Sequence, residues 1–378
     1  MTWQEGAKRR QAKKAFATKK QAQAALTTML AAHQSGSFAA PSRRTINELV
    51  GPWIDGLAIQ GRKPTTLHGY RRVMRLQVSP TLGEVPVQEL RATDLDALYA
   101  MLLRRGGRGG KPLSLTSVHH VHAVISKFLH DAERKGIVAR NVAPLANAPS
   151  LTTARSEGPE MRVWTPEELG RFLDAIEGNR NAALFRVLAM TGLRRSEAAG
   201  LRWSDVDLPH RRLTVNQAAT LVDGEEVLGA PKSRRSRRVV AVDDDTVAIL
   251  RRHKLERTET YLRLGITASA SRRVFANDLG EPLRPDSLGQ AFRRLVAHHG
   301  LPEIRMHDLR HTHASHLLAA GVNVKVVSER LGHASVSFTL DTYAHVMPGQ
   351  QADAAEAAAA LLPGRATMSN EGEVSHAS

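Results

Sequence analysis

Apolar positions along most of this chain recur every three to four residues, the spacing of helices that bury one face. Thr45-Ile46-Asn47-Glu48 has the form of a capping box ahead of an apolar run, and Pro52 inside that run predicts a kink or a late start. Pro64-Thr65-Thr66 opens a second helix carrying Tyr70, Val73, Met74 and Leu76, and Thr93-Asp94-Leu95-Asp96 starts a third. Ser117 to Lys135 makes a fourth, with Val118, Val121, Val124, Ile125, Phe128 and Leu129 near a helical period. Residues 45–148 therefore read as an all-helical segment. A second series begins at Thr165-Pro166-Glu167-Glu168, where Thr suits the N-cap, Pro the N1 position and Glu the N3 position. It predicts helices over 165–177, 180–191, 244–264 and 285–299, and again from His307 onward.

The period changes over 212–242, where RRLTVNQA, a turn at Asp223-Gly224 and SRRVVAV predict a small antiparallel sheet. SGSFAAPSRR (35–44) and PSLTTARSEGPE (149–160) have no period and read as linkers. The expected fold class is mainly α with a small antiparallel β-sheet, an α+β arrangement. It has four parts: a basic segment over 1–40, a helical domain over 45–148, a second domain over 160–348, and a terminal stretch over 349–378. That last stretch holds an Ala-rich helix (352–362) and a polar tail that reads as disordered. No internal repeat is visible.

Charge narrows the partners. The 53 Lys and Arg exceed the 37 Asp and Glu by 16, giving a pI near 10.7 and favouring a polyanion, with nucleic acid the first candidate. A basic protein without such a partner is the plain alternative. With no cysteine, disulfides, thiolate catalysis and Cys-ligated zinc are excluded, which fits a cytoplasmic setting. No apolar run is long enough for a membrane span. The run Lys8, Arg9, Arg10, Lys13, Lys14, Lys19 and Lys20 is short of the apolar core of a secretory signal, although it could pass for a transit peptide. The basic character of the whole chain favours a nucleic-acid contact at Lys13 and Lys14, with a solvated helix face as the alternative. RRGGRGGK (104–111) is a basic loop without the Lys-Ser/Thr or the preceding strand of a nucleotide site.

Candidate chemistry gathers in two blocks. In HDLRH, His307 and Arg310 stand three residues apart, a spacing that shares one helix face. Leu331-Gly332-His333 follows, then Tyr343 in a short apolar-periodic run. A base, a fixed cation, another imidazole and a phenol suggest phosphoryl transfer without a metal. Upstream, TGLRRSEAAGLRWSDV (191–206) puts Gly192 past an apolar helix, so that Arg194 would open the next one and Glu197 could hold it from i+3. Bland readings exist for each: a plain helix–turn–helix junction for Arg194, a core aromatic for Tyr343. His307, His311, His313 and His316 could hold a metal, but there is no adjacent Glu in the metalloprotease arrangement, and some of these histidines read as core or helix surface. No metal and no cofactor are expected.

TGLRRSE, the hairpin lysine in PKSRRSRRVV, HDLRH, LGH and DTYAH, in that order, resemble the tyrosine recombinase (phage integrase) family. The match spans roughly residues 160–348, and 45–148 resembles the family's core-binding helical domain. The resemblance implies Arg194 as the first catalytic arginine, Lys232 as the hairpin lysine, His307 and Arg310 as the His-x-x-Arg pair, His333 as the later histidine and Tyr343 as the nucleophile. It implies attack on a DNA phosphodiester, a 3′-phosphotyrosine, a free 5′-hydroxyl, and strand exchange through a Holliday junction.

The residue types suit that work. A tyrosine with its ordinary pKa of about 10 is protonated at neutral pH and needs an acceptor, for which His307 is the expected group. Arg194 and Arg310 can fork onto the non-bridging oxygens, Lys232 can protonate the leaving 5′-oxygen, and His333 can donate to the phosphate. Arg234, Arg235, Arg237 and Arg238 are expected on the DNA backbone. The resemblance further implies a clamp around double-stranded DNA, a homotetramer, and accessory DNA-bending or directionality proteins. The terminal Ala-rich helix would dock on a neighbouring protomer or on its own domain. GAKRRQAKKAFATKKQAQAAL resembles the last strand and helix of an arm-binding domain. A Xer-like resolvase, a transposon recombinase, a type IB topoisomerase and a DNA-binding regulator without catalysis are the alternatives.

Overall fold

The computed structural model describes residues 2–5, 8–11, 15, 17–34, 39–156, 161–229, 236–344 and 358–359. The chain divides into two compact units, Met1–Glu160 and Met161–Ser378.

The first unit opens with an antiparallel pair, β1 (Thr2–Glu5) and β2 (Lys8–Gln11), followed by α1 (Lys19–Gln34). A single strand before the helix was all that the motif at residues 6–26 implied; β1 supplies a partner for it. Next come α2 (Ile46–Ile59), α3 (Pro64–Val73) with a π-helical turn at Met74–Val78, and the short α4 (Ser79–Leu82). Then follow α5 (Ala92–Arg105), α6 (Leu115–Arg134) and α7 (Leu151–Ser156).

The capping box sets the start of α2: Thr45 N–H donates to Glu48 Oε2 (2.7 Å) and Glu48 N–H to Thr45 Oγ1 (3.3 Å). The helix runs through Pro52 instead of starting after it. One missing N–H is outweighed by a face that buries Ile46, Leu49, Trp53, Ile54 and Leu57. Trp53 stacks on Tyr70 (5.4 Å), meets Phe128 edge-on (5.3 Å) and donates its indole N–H to Asp131 (2.9 Å). α7 lies inside the stretch expected to be an irregular linker. Ser150 caps it, accepting from Thr153 N–H at 3.0 Å, and that local bond is enough to start a helical turn there.

The second unit runs α8 (Pro166–Ala175), α9 (Ala182–Thr191) and α10 (Arg195–Gly200), then strands β3 (Val206–Asp207), β4 (Arg212–Val215), β5 (Ala218–Val222), β6 (Glu225–Gly229) and β7 (Arg238–Ala241). It ends with α11 (Asp244–Arg263), α12 (Pro285–His298), α13 (Asp308–Ala319), α14 (Val324–Leu331) and α15 (Val336–Tyr343). The expected antiparallel strands are present as two sheets: β3-β4-β7, and a separate β5-β6 hairpin. The hairpin turns at Asp223 (φ 52°) and Gly224 (φ 87°), the paired positive φ values that match strand twist in a tight turn. No helix among the described residues is long and apolar enough to cross a membrane. The predicted helix over 352–362 lies outside the described residues apart from Ala358 and Ala359.

Aromatic packing centres this unit. Trp164, Phe172, Phe185 and Phe292 are all buried, with Phe172 5.0 Å from Trp164 and 5.3 Å from Phe292 between ring centroids. They anchor α8, α9 and α12, and so hold the end of α9 from which the site is built. Phe172→Ala is expected to lower stability by about 3–5 kcal/mol. Urea unfolding measures it, and an unchanged midpoint would contradict the packing described.

Candidate active site

Gly192 makes the first part of the site possible. It ends α9 with φ +64°, and a Cβ there would stand 2.6 Å from Leu331 Cδ2 and 2.9 Å from His313 Cδ2. The turn it permits sets Arg194 as the N-cap of α10 in extended conformation. Arg194 N–H donates to Glu197 Oε2 (2.9 Å), and its guanidinium reaches Glu197 Oε1 (2.8 Å) and the Gly332 carbonyl (3.3 Å). The Arg194 side chain keeps 34% exposure, whereas that of Glu197 has only 3%.

A second arginine closes on the same carboxylate. Arg238 Nη2 lies 2.9 Å from Glu197 Oε2, and Nη1 3.3 Å from Oε1. Its Nε donates to the Arg330 carbonyl (2.6 Å) and Nη1 to the Ser236 carbonyl (3.0 Å). Burial alone would raise the Glu197 pKa, but Arg238 and then Arg194 hold it below the ordinary value, so it stays ionised. Arg238, expected on the DNA backbone, is thus buried in an ion pair. Its strand position explains this, because β7 turns the side chain inward toward α10. Arg237 is exposed beside it. Lys232, Arg234, Arg235, Lys13 and Lys14 lie outside the residues whose side chains are described.

Arg310 comes from α13 and is 3% exposed. Its Nη1 donates to the Gly192 carbonyl (2.6 Å) and Nη2 to the Leu331 carbonyl (2.7 Å), tying the α9–α10 turn to the end of α14. Burial, then the Arg194 charge, lowers its pKa to about 9, which leaves it a cation at neutral pH. His307 stands at the N-cap of the same helix, and the following Asp308 is locked by three bonds from Arg305 (2.8, 3.0 and 2.9 Å). Burial and then Arg310 lower the His307 pKa.

His333 follows the left-handed Gly332 that ends α14. Its Nδ1 is 2.8 Å from the Thr339 hydroxyl, and its ring meets Phe338 edge-on at 4.9 Å. Burial, then the Arg310 and Arg194 charges, push its pKa down to about 3. A Thr339 hydroxyl donating to Nδ1 leaves the imidazole proton on Nε2 as a donor.

Tyr343 is the last residue of α15 and is fully buried in a small cluster with Ala314, Leu318, Val327 and Leu331. Its hydroxyl lies 2.6 Å from His311 Nδ1. Burial pushes the phenol up to about 12, although the Arg310 charge works the other way. Burial, then His307, pushes His311 down to about 4. The group hydrogen-bonded to the phenol is therefore His311, while the His307 ring stands edge-on to it with centroids 5.2 Å apart. His313 accepts from Arg330 Nε (2.9 Å) and His316 bonds the Trp164 carbonyl (2.8 Å), so both brace the fold. Among the described residues, no group of three His, Cys, Asp or Glu is placed to hold a metal.

Four elements, α10, α13, the end of α14 and α15, thus bring together Arg194, Glu197, Arg310, His333 and Tyr343, with His307 at the rim. Two guanidiniums bond one carboxylate and a third, Arg310, lies close enough to feel its charge, so the site carries net positive charge and suits an anion beside a hydroxyl nucleophile.

Glu197→Gln leaves Arg194 and Arg238 facing each other without their shared counter-charge, and a loss of about 3 kcal/mol is expected in urea unfolding. An unaltered midpoint would contradict this role. His311, His313 and His333 stay neutral in the fold down to about 4, 3 and 3 respectively. Below about pH 6.5 the unfolded chain binds protons that the folded one refuses, so stability is full above that pH and is lost as pH falls toward those values. The urea midpoint should drop between pH 7.5 and pH 5; a constant or rising midpoint contradicts neutral burial.

Residues 162–349 match the phage integrase family model. A tyrosine recombinase XerC-like protein of Caldanaerobacter subterraneus subsp. tengcongensis is 26% identical over 355 residues, covering 90% of this chain and 89% of its own. The ICEBs1 integrase of Bacillus subtilis is 28% identical, covering 78% and 77%. Among solved structures, the Tn1549 transposon integrase in complex with transposon right end DNA superposes with a TM-score of 0.69 at 21% identity, covering 84% of this chain and all of that one. The fold is the same, and the ordered motifs fall within the matched region. The chain belongs to the phage integrase family of tyrosine recombinases.

Proposed function

We propose that this recombinase cuts and rejoins DNA through a 3′-phosphotyrosine on Tyr343, integrating or excising a phage or other mobile element. The observation that supports the reading is that Arg194, Arg310 and Tyr343, from three separate elements, lie near one another, with Arg310 feeling the charge of both the others.

Arg194 and Arg310 each spend two N–H groups on protein acceptors, which leaves three of five for the non-bridging oxygens of a phosphodiester. Because their contacts are already made, they meet the charge that builds on those oxygens with little reorganisation. His333 Nε2–H and the His307 imidazole add donors to the same phosphate. Tyr343 Oη attacks phosphorus, and the 5′-oxygen leaves with the bonding pair and takes a proton, the part assigned to Lys232. The new phosphotyrosine keeps an ester bond of similar energy, so a 5′-hydroxyl from another strand can reverse the step without ATP.

Residues 45–148 serve as the core-binding domain and, with 160–348, close on double-stranded DNA in this reading. The net charge of +16 supports it. Exposed Arg237, with Arg234, Arg235, Lys13 and Lys14, grips the DNA backbone. Assembly is a homotetramer on attachment sites in the cytoplasm, with accessory bending or directionality proteins. Residues 1–40 form an arm-binding-like segment in this reading. The breadth of the match to the XerC-like protein favours a second reading, a chromosome resolvase.

A nicked suicide substrate tests the nucleophile. Wild type should trap a covalent 3′-linked complex, and Tyr343→Phe should bind DNA equally well yet trap none. A 3′-linked complex from Tyr343→Phe removes the assignment.

A further inference from the structure

Among the described residues, only one imidazole bonds the tyrosine hydroxyl, and it is not the one that the His-x-x-Arg spacing singles out. His311 Nδ1 lies 2.6 Å from Tyr343 Oη, and the two rings are 5.7 Å apart between centroids. We infer that His311 is the proton acceptor for Tyr343 in the cleavage step, and the donor that returns the proton when the tyrosine leaves. The inference rests on Tyr343 being the nucleophile.

Geometry carries it first. A general base must stand within hydrogen-bond reach of the proton it takes, and His311 alone does so among the described residues. The imidazole is held in place from its own helix, since it leaves α13 one residue after Arg310, whose guanidinium is fastened to the Gly192 and Leu331 carbonyls. Tyr343 is fixed from the other side by its buried ring, so neither partner is free to drift. An acceptor nitrogen at Nδ1 requires the neutral tautomer protonated on Nε2.

Charge explains how a weak base could serve. The groups that face His311 are His307, Asp308, Arg310 and Arg305 on or before its own helix, Tyr343 on α15, and His333 after α14. Burial, then His307, depress its basicity, with Arg310 and Arg305 adding to them and Asp308 opposing. A phosphodiester seated on Arg194 and Arg310 brings negative charge that offsets those cations, and negative charge grows further in the transition state. Basicity at Nδ1 therefore rises when substrate is in place.

The step balances. The Oη–H bond breaks and its proton goes to Nδ1; the oxygen pair forms the new P–O bond. The P–O5′ bond breaks with its pair on the 5′-oxygen, which takes its proton from the acid, the part assigned to Lys232. In rejoining, the imidazolium gives its proton back to the departing phenolate.

The test is single-turnover formation of the covalent complex on a nicked substrate with full-length His311→Asn and His311→Ala. Asparagine places an amide acceptor near the position of Nδ1 but takes no proton at neutral pH, so it separates positioning from proton transfer. His311→Asn should bind DNA like wild type and cleave at least about 100-fold more slowly. Added imidazole should restore part of the His311→Ala rate, more so at a pH where free imidazole is neutral. Cleavage by His311→Asn at the wild-type rate would overturn the inference. So would imidazole rescue of His307→Ala but not of His311→Ala. If wild type traps the adduct, Tyr343→Phe does not, and His311→Asn is fast, only His311 falls. If Tyr343→Phe traps it, the nucleophile reading fails instead.

Discussion

A buried carboxylate between two guanidiniums sets the geometry on which the rest of this site depends. Glu197 accepts from Arg194 on one side, Arg238 on the other, and the Arg194 backbone N–H as well. Arg238 in turn holds the Arg330 carbonyl, and Arg194 reaches the Gly332 carbonyl. One carboxylate thus connects α10, β7 and the end of α14, the elements that deliver an arginine and a histidine to the anion position. Buried ion pairs add little net stability compared with apolar packing of the same volume. What Glu197 provides here is placement: it fixes a partly exposed arginine that keeps N–H groups unspent on the protein.

Arg310 repeats the principle with backbone acceptors. Its bonds to the carbonyls of Gly192 and Leu331 need a close approach that a side chain at position 192 would block. The phenol is positioned differently, by packing. Tyr343 fills a small cluster under α13 and α14, and its one polar atom is directed at His311. Burial makes that hydroxyl a poor acid and the imidazole a poor base, which keeps the pair inert until charge arrives beside it. Latency and readiness come from the same low-dielectric surroundings.

Much of the helical frame was legible in local pattern. The capping boxes at Thr45 and Thr165 mark true helix starts, and the Asp223-Gly224 turn closes the hairpin it suggests. Pro52 does not delay the start of α2, because a buried face of five apolar residues outweighs one lost hydrogen bond. The helical turn at Leu151–Ser156 was hidden in a linker because a single serine cap, with no apolar period, begins it. Among site residues, Arg194 and Glu197 share the first turn of α10, so sequence spacing reveals their pairing. Arg238 and His311 do not reveal theirs. Their partners lie 41 and 32 residues away, and only the tertiary fold brings them together. His311 also follows a stronger local signal, the His307–Arg310 pair, which draws attention to the wrong imidazole for contact with the phenol.

In the proposed reaction, DNA becomes joined to the hydroxyl of Tyr343 at a 3′-phosphate. Trapped protein–DNA adduct can be digested with protease and nuclease and the modified peptide mapped by mass spectrometry. One nucleotide-bearing peptide is expected, with the 3′-phosphate on Tyr343. An adduct on any other residue, or a link through a 5′-phosphate, would contradict it.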